Sequence, residues 1–96
     1  MNLYLVHCGF YDPDLRGGIY ESHVNYFVAA DDFDTARAKV KLIPELKARK
    51  MHVDGLEEIR AAGGFRVSLE EDPTLEGETL VVSHKHRDLA PRPAAH

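Results

Sequence analysis

His52 and Asp54 stand two residues apart in the run Met51-His52-Val53-Asp54. An imidazole beside a carboxylate is a pairing that serves both general acid–base chemistry and the binding of polar ligands. On a β-strand, alternate side chains share a face and lie about 7 Å apart along it. His23 and Asn25 hold the same i, i+2 relationship in the run from Glu21 to Ala30. If both runs turn these faces the same way, His23, Asn25, His52 and Asp54 emerge together, with Phe27 among them. These four are the candidate ligand-binding residues. The first reading is a ligand-binding or protein-interaction module that self-associates. The alternative is a small enzyme that uses His23, His52 and Asp54 for acid–base work, and a metal-dependent regulator is the third class. The plainest reading is the wet face of a half-buried sheet, since shared polarity is what any such face shows.

Other chemistry is thin. Six histidines are many for 96 residues, and His84-Lys85-His86 puts two imidazoles on one strand face. That pair sits beside an expected mobile tail, where solvated histidines are ordinary. One cysteine and no C-x-x-C leave no thiolate set for structural zinc. Cys8 is adjacent to His7, and adjacency on a strand sends the two to opposite faces, so they form no nucleophilic dyad. Arg16-Gly17-Gly18 could cradle an anion but reads more simply as a flexible turn. There is no Gly-x-Ser-x-Gly elbow and no phosphate-binding loop. The sequence therefore assigns no catalytic residue, no metal ligand and no cofactor.

The elements that must position these residues follow from periodicity. Residues 2–10 read as a strand, with Leu3, Leu5 and His7 on one face and Tyr4, Val6 and Cys8 on the other. Both sets are largely apolar, which predicts an interior strand covered on both sides. Tyr11-Asp12-Pro13-Asp14 has the chemistry of a type I turn. In the next strand, Val24, Tyr26, Val28 and Ala30 form the core face, opposite His23 and Asn25. Asp31 and Asp32 are helix N-cap candidates, and Phe33, Ala36, Val40 and Ile43 follow at helical spacing. Pro44 predicts a kink, or a break with Pro44 opening a second short helix. Met51–Asp54 is a third strand that stops at Gly55; Leu56–Arg60 either continues it after a bulge, the favoured reading, or forms a helical turn. Ala61–Gly64 is a turn, and Phe65, Val67 and Leu69 alternate as a half-buried strand. Thr79–Ser83 is expected as a last one.

The result is an α+β fold of β-β-α-β-β-β order. It is a mostly antiparallel sheet with one helix, kinked or broken at Pro44, packed on one face. Residues 1–88 form a single domain, and 89–96, with Pro91 and Pro93, form a disordered tail. A net charge of −4 excludes a general nucleic-acid binder, which needs the opposite sign. No apolar run approaches the roughly 20 residues that span a bilayer. The first residues lack the basic and apolar regions of a signal peptide. The lone cysteine fits a reducing, cytoplasmic setting. An uncovered sheet face suits self-association, so a homo-oligomer is the expected partner, with no membrane and an unidentified ligand.

A resemblance adds to this. The Leu-Tyr strand ending at Gly9, His23 and Phe27-Val28 before an acidic helix start, Met51-His52-Val53-Asp54, and Gly64-Phe65-Arg66-Val67 together resemble a small bacterial family. It is the domain-of-unknown-function family numbered fifteen forty-three, and the similarity covers residues 2–69. The resemblance brings no activity, but it implies a stand-alone intracellular bacterial domain.

Overall fold

The computed structural model describes residues 1–85; the expected tail at 89–96 and His86 of the histidine pair lie outside the described residues. Strands β1 (Asn2–Tyr11) and β2 (Glu21–Ala30) pair antiparallel along their whole length, from Asn2 opposite Ala30 to Tyr11 opposite Glu21. The turn after β1 is fixed by Asp12, whose Oδ1 accepts from the Asp14 N–H at 2.9 Å and whose carbonyl accepts from the Leu15 N–H at 3.0 Å. Gly17 and Gly18, at φ of 65° and 79°, supply the left-handed backbone that completes the reversal.

Asp32 caps helix α1 (Phe33–Lys41), its Oδ1 accepting from the Thr35 N–H at 2.7 Å. That contact holds the Asp32 carboxyl below its usual range. At Pro44 the helix breaks rather than kinks. The Ile43 N–H closes the last turn on the Val40 carbonyl, and Pro44 becomes the first residue of α2 (Pro44–Ala48), where a missing amide donor leaves no helical bond unmade. Strand β3 (His52–Glu58) then returns along the free side of β1, giving the order β2-β1-β3, antiparallel throughout.

The β1–β3 register slips by one at Asp54. Gly9 faces His52 and Cys8 faces Val53, whereas His7 faces Gly55 and Val6 faces Leu56. Asp54 is the extra residue of a β-bulge. It lets His52 and Asp54 share one face while returning Leu56 to the opposite one, against the core.

Both helices lie on one face. Tyr4, Val6 and Cys8 of β1 are buried there against Ala36 and Val40 of α1, with Leu46 of α2 closing the end. Val24, Tyr26 and Val28 from β2 and Met51, Val53 and Leu56 from the β3 side pack around them. Each fully buried aliphatic such as Val6 or Val40 contributes roughly 1.5–3 kcal/mol. The Tyr26 hydroxyl donates to Glu45 Oε2 at 2.8 Å, pinning α2 to β2. On the other face of β1, Leu3, Leu5 and His7 are half-buried and only Gly9 is buried, so the expected cover on both sides is complete on the helix side alone.

The α+β class and the antiparallel sheet are as expected; the last two strands are corrected. Tyr4 pairs with Glu58, and the Ile59 N–H still reaches the Leu3 carbonyl at 2.8 Å. Past that point the β1–β3 ladder ends. The chain folds on itself as a hairpin of β4 (Ala61–Ala62) and β5 (Phe65–Arg66), turning at Gly63-Gly64 with φ of 57° and 87°. The alternating Phe65-Val67-Leu69 run has no helix above it, and Phe65 is 79% exposed. Among the described residues, Thr79–Ser83 pairs with no strand and is irregular, with Leu80, Val81 and Val82 exposed. Among the described residues, no helix is long and apolar enough to cross a membrane.

Candidate functional site

Gly9 is the floor of the site. In the two pairing registers it faces His23 on one side and His52 on the other. Two strand spacings, about 10 Å of backbone, separate the histidines, and the central residue between them has no side chain. The space above Gly9 is filled from both sides. A Cβ there would come within 2.6 Å of Asp54 Oδ2 and 2.9 Å of His52 Nε2, and nearer still to Glu21 Oε1.

Two i, i+2 pairs supply the converging groups. Glu21 and His23 come from β2; His52 and Asp54 come from β3. Glu21 Oε1 lies 2.8 Å from His52 Nε2 and 3.3 Å from His23 Nε2. Asp54 places Oδ1 3.0 Å from His52 Nε2 and Oδ2 3.4 Å from His23 Nε2. Each imidazole thus touches both carboxylates, and each carboxylate touches both imidazoles. All four side chains are partly exposed, between 29% and 48%, so the cluster is open to solute from one side.

A second layer lies beside it. The His7 ring stacks on that of His23 at 4.7 Å between centroids, 14° from parallel. His7 Nδ1 donates to Asn25 Oδ1 at 2.6 Å, which fixes the ring, and His7, His23 and Asp54 present ligand atoms that all lie within 4.8 Å of one another. Next to this layer, where the bulge and the bare Gly55 thin the sheet, a cleft of about 360 Å³ opens, with His7, Asn25 and Asp54 in its wall.

Of the four residues expected from sequence, His23, His52 and Asp54 meet around one space. Asn25 stands one step away and reaches them only through His7. Glu21, Gly9 and His7 complete the arrangement and were not among the expected residues. Alternation from His23 places Glu21 on the same face, but the signal for Gly9 exists only in the strand register. His84 belongs to no such group among the described residues. Cys8 is fully buried on the helix side, where burial first and the Asp54 charge second push its thiol up from the ordinary range.

Chemically, two carboxylates and two imidazoles aimed at one point can hold a cation, anchor a polar molecule or move a proton. No protein-family model, no curated protein and no solved structure matches the chain.

Proposed function

We propose that the chain is a small ligand-binding module whose ligand seats on the open sheet face above Gly9. One observation carries this reading: Glu21, His23, His52 and Asp54 converge on a common space from two different strands. A merely solvated face needs polar side chains to point outward; it gives them no reason to meet. Thermal melts with a panel of divalent chlorides, phosphate, carbonate, acetate and glycerol test the reading. A ligand at a hundred times its Kd stabilises by about 2.7 kcal/mol, which moves a melting temperature by several degrees. At least one panel member should stabilise the wild-type protein and not the His52→Ala variant. A panel without effect on the wild type overturns the reading.

A small enzyme is the second reading, and the cleft beside Asp54 favours it, because a substrate could lie there against the histidines. Self-association belongs to the same proposal. The remainder of the open face carries Leu3, Leu5 and Phe27, the last 43% exposed, and a second copy of the module would cover them. Sedimentation that returns a monomer at high micromolar concentration would count against it. Cys8, a free and buried thiol, supports a cytoplasmic setting.

A further inference from the structure

We propose that the ligand of this site is a divalent first-row transition-metal ion, held by Glu21, His23, His52 and Asp54 above Gly9. The inference rests on the open-face reading and goes further by naming the ligand.

Donor spacing is the first argument. Ligands bound at 2.0–2.1 Å around a tetrahedral ion stand about 3.3 Å from one another. The four imidazole–carboxylate separations run from 2.8 to 3.4 Å, and Glu21, His52 and Asp54 offer ligand atoms that all lie within 4.8 Å of one another, so these three form the primary set and the His23 ring closes the shell by a side-chain shift. The second argument counts hydrogens. An imidazole Nε2 carries at most one, and here two Nε2 atoms make four short contacts with carboxylate oxygens. Two N–H groups cannot serve four contacts with good geometry, whereas one cation serves all of them. Charge is the third. Two carboxylates and two neutral imidazoles sum to −2, which a divalent ion cancels.

The donor types narrow the ion. Imidazole with carboxylate suits Zn²⁺, Co²⁺, Fe²⁺, Ni²⁺ or Mn²⁺; calcium and magnesium prefer all-oxygen shells, and soft Cu⁺ prefers sulfur. Cys8 faces the helices, on the opposite side of the sheet, and is no ligand. Gly9 is what permits the site, since any side chain there would occupy the ion's place. His7, stacked on His23 and tied to Asn25, holds the His23 ring in its inward orientation.

The test is calorimetric titration of the full chain with zinc chloride and, separately, cobalt chloride. The wild type should bind one ion per chain. Glu21→Gln, His52→Ala and Gly9→Ala should each weaken binding at least tenfold. Gly9→Ala keeps every donor and displaces only the ends of flexible side chains, so its circular dichroism should match the wild type. His84→Ala should bind as the wild type does. Binding that survives Gly9→Ala and His52→Ala but is lost in His84→Ala would overturn the proposal. So would the absence of any wild-type binding tighter than millimolar. If phosphate, carbonate or acetate stabilises the wild type through His52 while neither metal binds, the metal proposal falls and the ligand-binding module stands.

Discussion

His23 and His52 lie directly across Gly9 from each other, and their Nε2 atoms share Glu21 Oε1, at 3.3 and 2.8 Å respectively. Two residues twenty-nine apart in sequence are thus brought to one oxygen by the register of a three-stranded sheet. The sharing has an energetic consequence in the metal-free protein. At neutral pH and in a chelator, Glu21→Gln and His52→Ala should be non-additive in stability, with a coupling of roughly 0.5 kcal/mol, the scale of a partly exposed ion pair. Additivity within error in a chemical-denaturation cycle would mean that the pair only points the same way.

Tyr26 and Glu45 give a second, independent expectation. Burial, then the hydrogen bond to Glu45 and its charge, push the Tyr26 phenol up to about 12. A raised pKa means that the folded chain holds the proton more tightly than the unfolded one. The associated stability is complete below pH 10 and is lost as pH rises from 10 through about 12. The wild type should show a phenolate absorbance step near pH 12 that Tyr26→Phe removes. The substitution should also cost about 1 kcal/mol at pH 7 by freeing α2 from β2. An unchanged alkaline titration would contradict the contact.

Cys8 should react slowly with thiol reagents. Its side chain has no exposed surface, and its thiol is held protonated by burial and by the nearby Asp54 charge. Native-state labelling should run at least tenfold slower than in denaturant. Equal rates would show that the helix layer opens freely.

Lys50 adopts φ of 51°, just after α2, where the Met51 N–H reaches back to the Leu46 carbonyl at 2.8 Å. A side chain in left-handed backbone costs energy that glycine avoids. Lys50→Gly should therefore stabilise the fold by about 0.5–1 kcal/mol, read from the denaturation midpoint. A destabilised variant would mean that the unfolded-state entropy of glycine outweighs the strain.

Alternation alone puts His23 with Asn25 on one face of their strand, opposite Val24, Tyr26 and Val28, and His52 with Asp54 on one face of theirs. Both placements depend only on period two. The break at Pro44 was equally legible, because proline has no amide to continue the helix. Convergence over Gly9 was not. It requires the whole-length β1–β2 register and the one-residue slip at Asp54, and neither is written in any local run. Glu21 was on the right parity but at a strand end, and His7 was masked by its apolar neighbours Leu3 and Leu5. Phe65–Leu69 has a sound strand pattern but pairs only at Phe65–Arg66, with Ala61–Ala62, and Thr79–Ser83 has one but, among the described residues, no edge in register to join. A pattern specifies a face, and the partner has to come from elsewhere in the chain.

The most direct measurement is the zinc K-edge absorption spectrum of the protein with one equivalent of Zn²⁺. The account predicts a single shell of nitrogen and oxygen at 2.0–2.1 Å, with the outer-shell scattering of two imidazoles that His52→Ala reduces to one. A spectrum of the hydrated ion without imidazole scattering, or a sulfur shell near 2.3 Å, would contradict it.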